Sequence, residues 1–447
     1  MTSRTAPALR MTDPGELKRG ARPCWPIVWF WVLSIAQYSY RYILQVNDPA
    51  TSVLYASTPA PLSAIKYGIL LFFALYALAR LPRRSVLLNR SYRVLLFILG
   101  CALTILSVVV LIRLTLSPGD LDQTALCALQ LIPWMASLIF IPFVFGPEHS
   151  LTQTLMTFER IIFWVVLPFW LITVILAASG IRYPALSYQG LLLRFGGILD
   201  DPNGYACLCL FFLVLAATGR VRYWKVKVFL YVVMLLATLS LTGYVTATVM
   251  CLGLLLSRIM RPKAHSASNL VRQLANYVAF ICFVILGAAI FQTNEAFTTI
   301  SSLYMAKSNS TATHISNLLP EEEMLDTSSP VTLLSGTGGF SENFYWRILA
   351  NFGWIGLMAV CGVIVFSAYF ALRRASRWRY STGVWAVAVL IGSNGLAYLL
   401  TFPVSLIYWS LLGLLICART GESRNQLHLS TRQICAERYP EAGNQAR

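Results

Sequence analysis

Histidine and acidic side chains are scarce in this sequence, with four His and 18 Asp plus Glu against 35 Lys plus Arg. Three of the histidines, His149, His265 and His428, fall on the side of the N-terminal tail, and only His314 falls opposite, so a multi-histidine metal centre on that opposite face is excluded. Ten cysteines are scattered without metal-ligand spacing, and none lies clearly in an outer loop, so neither a zinc site nor a disulfide framework is supported. Charged residues make up only 12% of the chain and hydrophobic ones 57%, which rules out a water-soluble globule with an ordinary polar surface. A cleavable signal peptide is also missing. Residues 1–26 are polar and basic, and the next apolar run has no small-residue cleavage pattern, so the first helix reads as a retained anchor. No internal repeat or extended low-complexity segment is present.

What the chain does have is apolar runs of helix-crossing length. A helix needs about 20 mostly apolar residues to cross hydrocarbon. Twelve spans are expected: 27–45, 62–81, 94–112, 125–146, 161–179, 196–217, 226–241, 243–257, 274–292, 344–370, 381–400 and 403–418. Lys and Arg collect in every second connection, at Arg83, Arg84 and Arg90, then Arg220, Arg222, Lys225 and Lys227, then Arg258, Arg261 and Lys263, then Arg373, Arg374, Arg377 and Arg379, besides both tails. Cytoplasmic loops retain such residues. The expected protein is therefore an all-α, polytopic integral membrane protein with both termini cytoplasmic. Its organisation is a basic tail (1–26), helices 1–9 (27–292), one large outer loop (293–343), helices 10–12 (344–418) and a second tail (419–447). The formal charge of +17 is mostly topology. Divided among short loops beside apolar helices, it does not describe a nucleic-acid surface.

Two outer helix starts carry the informative chemistry. In Arg194-Phe-Gly-Gly-Ile-Leu-Asp-Asp-Pro-Asn203, Asp201 followed by Pro202 reads as an N-cap with proline at the first helical position. A helix over 202–217 is only about 24 Å long, short of the ~30 Å core, so 191–200 is expected to enter as a broken or re-entrant piece. Asp200 and Asp201 then lie at membrane depth, where ionisable groups cost on the order of 2.5–3.5 kcal/mol near the centre and tend to mark function. The alternative is that one aspartate caps the helix and the other pairs with Arg194. The second start is Gly336-Thr-Gly-Gly339 running into Ser341-Glu342-Asn343, a glycine turn before a helix N-terminus that would suit an anion, with Gly338 approaching it closely. Asn343, Arg347 and Asn351 recur every four residues and share one face, which should look into the bundle. Interhelical hydrogen bonding alone would also explain that stripe. Arg41, Lys66, Arg113 and Arg182 are placed near outer helix ends, most as snorkelling anchors. Two or three arginines converging on the glycine turn would suit a diphosphate.

These features together resemble the O-antigen polymerase and O-antigen ligase superfamily: an arginine and glycine before an Asx-Pro-Asn helix start, a long outer loop, a glycine-rich turn into Ser-Glu-Asn, and Gly353-Trp-Ile-Gly356 beyond it. The resemblance covers about 160–418. It implies an all-helical glycosyltransferase of the bacterial inner membrane that uses undecaprenyl-diphosphate-linked glycans as donor and acceptor, without metal or other cofactor, alongside a flippase and a chain-length regulator. The residues that carry over are Arg194, Asn203, Glu342 and Asn343; Arg347 is added on geometry. The chain departs from the pattern at Ser240-Leu-Thr-Gly-Tyr244, where many members have a Ser-Arg pair, and at Glu342, near which the ligase branch places a histidine. The second departure favours a polymerase. A carboxylate lowered partly into the membrane has a raised pKa suited to general-base work, which makes Glu342 the first candidate base and Asp200 or Asp201 the second. Two alternatives stay open: a ligase to lipid A-core, with His314 as its outer imidazole, and a secondary transporter, which would predict related halves that the sequence does not show.

Overall fold

A computed structural model of the chain describes residues 22–39, 60–84, 90–116, 121–146, 148–179, 186–189, 192–199, 201–220, 223–259, 330–339, 341–372 and 377–417. The expected span 274–292, most of the 293–343 loop with His314 and Glu321–Glu323, Asp200, residues 1–21 of the first tail and the whole of the second lie outside them, and of Arg194 only the backbone is described.

The described chain is helical. Its helices are α1 (Trp25–Ala36), α2 (Ala60–Arg84), α3 (Arg90–Leu116), α4 (Leu121–Val144), α5 (Leu151–Ala178), α6 (Pro202–Gly219), α7 (Trp224–Ala237), α8 (Leu241–Ile259), the short α9 (Pro330–Ser335), α10 (Phe344–Leu372), α11 (Arg377–Gly392) and α12 (Val404–Cys417). Five stretches, Tyr92–Arg113, Gln123–Val144, Leu151–Ala178, Pro202–Gly219 and Phe344–Tyr369, are long and apolar enough to cross a membrane. The outer surface agrees with that reading. Phe72, Phe97 and Trp164 are 74%, 73% and 67% exposed on their helices, as side chains that face lipid would be.

One departure from an all-helical chain lies just before α6. Leu186–Gln189 (β1) and Leu192–Phe195 (β2) pair antiparallel, with Leu186 opposite Phe195 and Ser187 opposite Arg194. Two runs separated by two residues, glycine first, are a hairpin signal, here Gly190-Leu191. The backbone of Arg194 therefore sits in a strand rather than a broken helix, while Gly196 to Leu199 turn inward and are buried.

α6 and α12 form the centre. Every side chain from Tyr205 to Phe212 is at most 1% exposed, and from Val404 to Leu412 all are fully buried. A helix apolar all round has to be enclosed by others. α6 packs against α5, α7, α8 and α11. α1 lies along α12, where the Trp31 indole N–H donates to Ser410 Oγ (2.6 Å) and the Tyr38 hydroxyl to the Phe402 carbonyl (2.9 Å). Phe211 stacks within 4.5 Å of Trp385 and meets the edge of Trp31, joining α1, α6 and α11 through aromatic rings.

The ends of the helices define two faces. Arg22 donates its N–H to the Glu148 carbonyl and accepts from the Ser150 N–H, so the chain before α1 and the chain after α4 meet on one face. That junction also sets the start of α5. Ser150 caps it by accepting from Gln153 N–H, so the helix begins ten residues ahead of the expected span at 161. The extra turns carry Glu159, whose carboxylate accepts from the Lys227 ammonium at 2.8 and 2.9 Å, with both side chains almost fully buried. Lys227 also lies 4.8 Å over the Phe163 ring. Removing one partner of a buried pair leaves an uncompensated charge, which costs about 3–5 kcal/mol. Lys227→Met is expected to lower the stability of the purified protein by that order in detergent unfolding, and Glu159→Gln in the same chain to restore most of it.

Candidate functional site

The start of α6 is fixed by its own side chains. Asp201 accepts from the Asn203 N–H (2.9 Å) through one carboxylate oxygen and from the Gly204 N–H (2.8 Å) through the other, and Pro202 needs no partner. Asp201 is thus the cap that its sequence suggests, and the cap occupies both oxygens. Of the other carboxylates proposed as a base, Glu342 is half-buried and Asp200 lies outside the described residues. The Asn203 side chain turns to α8. Its Oδ1 accepts from the Ser240 hydroxyl at 2.7 Å, and Ser240 Oγ accepts from the Gly243 N–H at 3.0 Å. Gly243 has no room for a side chain, because a Cβ there would lie 2.6 Å from that of Ala206. The two helices touch at that point.

The second start is built around a break in α10. Gly353 has φ 63° and ψ −171°, which interrupts the helical ladder. The Ala350 carbonyl accepts from the Gly338 N–H (2.7 Å), and the Asn351 amide donates to the Gly339 carbonyl (2.9 Å). Gly336 and Gly353 are both forced, since a Cβ would come within 2.2 Å of the Ala350 oxygen or 2.4 Å of the Leu334 carbonyl. The glycine turn is therefore bolted to the break in the helix that follows it. The first amides of α10 are also taken up: Tyr345 and Trp346 donate to Asn343 Oδ1, and Phe344 to the Ser393 carbonyl (2.9 Å). Backbone amides at this turn hold the protein together.

Asn343, Arg347 and Asn351 are 2%, 8% and 1% exposed. They face α4, where Arg347 donates to Gln130 Oε1 (3.2 Å) beside the Cys127 thiol and Thr124 donates to Asn351 Oδ1 (3.2 Å). Arg347 is an arginine buried inside the bundle near the start of α10, with a neutral amide among its partners.

The two starts meet through the segment between α11 and α12. The expected span 381–400 stops at Gly392, where Gly392-Ser-Asn-Gly395 turns on itself: Gly395 and Leu396 donate to the Gly392 carbonyl. The Ser393 carbonyl receives Phe344 from α10. Gly392 lies against Thr246, Gly395 against Thr242, and Thr401 against Gly204. Asp201, Asn203, Ser240, Ser341 and Asn343 thus all surround one irregular stretch at one end of the bundle. Ser240, Gln130 and the 392–403 turn were not among the expected site residues. The turn was signalled by its Gly, Ser and Asn content, and Ser240 opens the stretch where the chain departs from the family pattern, but Gln130 had no signal in sequence. No family model matches the chain, and no curated protein matches it.

The interlocked glycines give a direct test. Gly353→Ala forces a side chain at positive φ against the Leu334 carbonyl and is expected to cost about 1–3 kcal/mol, seen as a lower unfolding midpoint. Gly362→Ala on the same helix, where a Cβ meets nothing within 4 Å, should leave it unchanged.

Proposed function

We propose that this protein is a polymerase of lipid-linked polysaccharide repeat units: a twelve-span protein of the bacterial inner membrane that transfers a glycan from undecaprenyl diphosphate to an acceptor glycan at the periplasmic face. The observation that carries the reading is the convergence of the Asp201-Pro-Asn203 and Ser341-Glu-Asn343 helix starts on one turn at one end of an apolar bundle, with buried Arg347 one helical turn below the second start. That end lies opposite the Arg22–Glu148 junction of the basic tail. By the distribution of Lys and Arg it is the outer end.

Outside the cytoplasm no nucleotide sugar is at hand, so the donor has to arrive activated, and a lipid diphosphate is such a leaving group. In the transfer, the acceptor hydroxyl oxygen bonds to the anomeric carbon as the bond from that carbon to the diphosphate oxygen breaks. The hydroxyl proton passes to a base, Glu342, and the electron pair leaves on the diphosphate. Arginine stabilises that developing charge with planar paired donors; Arg347 and Arg194 take this role, with Asn203 and Asn343 as neutral donors. The α11–α12 interruption also fits a secondary transporter, in which broken helices form the substrate site.

Sizing of lipid-linked and surface polysaccharide from a strain lacking the protein separates these readings. Single repeat units accumulating on the carrier are the expected result, with Glu342→Gln and Arg194→Ala each failing to restore chain extension at normal protein level. Full-length polymer retained on the carrier would mean ligation instead. An unchanged profile would sink both and leave transport.

A further inference from the structure

The turn between α6 and α7, at the end of the bundle away from the two helix starts, gathers positive charge. No Asp or Glu occurs in the sequence between Asp201 and Glu295. Glu159, which reaches this end from α5, is taken up by Lys227. Arg220 and Lys225 are both exposed, and neither forms an ion pair among the described residues. Both lie instead against one indole: Arg220 Cζ is 5.7 Å and Lys225 Nζ 6.0 Å from the centre of the Trp224 ring. Two like charges drawn to one ring raise the local positive potential rather than relieve it. Each is a long side chain anchored beside that ring with its charged tip free to reach water.

The backbone takes an uncommon form here. Arg220 closes α6 at φ 48° and Tyr223 precedes α7 at φ 62°, both left-handed. Helices ordinarily end on glycine at such a position, because a side chain there is crowded. Gly219 stands one residue earlier, and the left-handed position goes to an arginine. A glycine at 220 would serve the turn better, so folding alone does not account for the guanidinium. α7 then extends the patch along the bundle. Lys225 and Phe229, four residues apart, share a face with Val226 between them, and both apolar side chains are exposed. A cationic turn followed by an outward-facing apolar strip matches, in order, the phosphate and acyl chain of a phospholipid.

We propose that the α6–α7 turn is a binding site for one anionic phospholipid, its phosphate taken by Arg220 and Lys225 beside Trp224 and an acyl chain lying over Val226 and Phe229. Arginine offers paired donors to phosphate oxygens, and lysine a compact charge. The apolar strip makes the occupant a lipid rather than free phosphate. The site needs only the membrane placement of the helices and does not rest on the proposed glycosyl transfer.

Full-length protein purified in detergent tests this by native mass spectrometry during titration with phosphatidylglycerol or with zwitterionic phosphatidylcholine, beside thermal unfolding. Wild type is expected to bind one phosphatidylglycerol in preference to phosphatidylcholine. Arg220→Gly and Lys225→Gln should each weaken that binding about 5-fold, and together about 30-fold, while Arg220→Gly leaves the unfolding midpoint unchanged or raises it. Arg83→Gln with Arg84→Gln removes two charges from another basic connection and should leave binding unchanged. An equal loss from that pair would reduce the effect to diffuse attraction and overturn the site. Equal binding of phosphatidylcholine, or binding that survives both changes at the turn, would overturn it as well. If Arg220→Gly unfolds the protein, Lys225→Gln, on an exposed helix face, decides by the same readings.

Discussion

Inside hydrocarbon, a backbone N–H or C=O without a partner costs several kcal/mol, so every interruption of a helix has to be closed by other protein groups. That constraint explains more of this structure than any single contact. Where α6 begins, the Asp201 carboxylate takes two amides; where α10 begins, Asn343 takes two and the Ser393 carbonyl takes a third. Where α10 breaks at Gly353, the Gly338 amide takes the Ala350 carbonyl. Each closure brings together elements that are far apart in sequence, and the closures cluster at one end of the bundle.

The same requirement makes polar side chains meet inside the bundle. Asn351 bridges α10 to the glycine turn and to Thr124, and Ser240 ties the start of α8 to Asn203. Within a dry, low-dielectric interior, fixed donors and acceptors act more strongly than in water, and the helix breaks supply them at little extra cost in unsatisfied groups. At the opposite end the Glu159–Lys227 pair shows the other solution, two charges that satisfy each other. Arg347, also buried, donates to the neutral amide of Gln130 beside the Cys127 thiol.

Local signals were reliable where one residue type answers one local demand. Asp201 before Pro202 announced a cap, and the four-residue spacing of Asn343, Arg347 and Asn351 announced a shared buried face; the structure has both. Boundaries failed where a cap or a turn overrode hydropathy. Ser150 starts α5 early, and Gly392-Ser-Asn-Gly395 ends α11 in mid-run. The hairpin ahead of α6 was missed because short apolar runs carry no period that separates strand from helix, and 191–200 was read as a broken or re-entrant piece.

The sequence by itself determined the solvent and the class: composition and runs of helix-crossing length demand a helical membrane protein, because burial in lipid depends on side-chain polarity summed along each segment. It also determined the caps and the polar stripe, which depend on neighbours a turn away. Only the tertiary structure decided that Asn203 meets Ser240, that Arg347 meets Gln130, that the glycine turn locks onto Gly353, and that the chain after Gly392 is the hub joining both helix starts. Those pairings depend on which helices pack side by side, and hydropathy, which is nearly the same for every helix of the bundle, does not encode that choice.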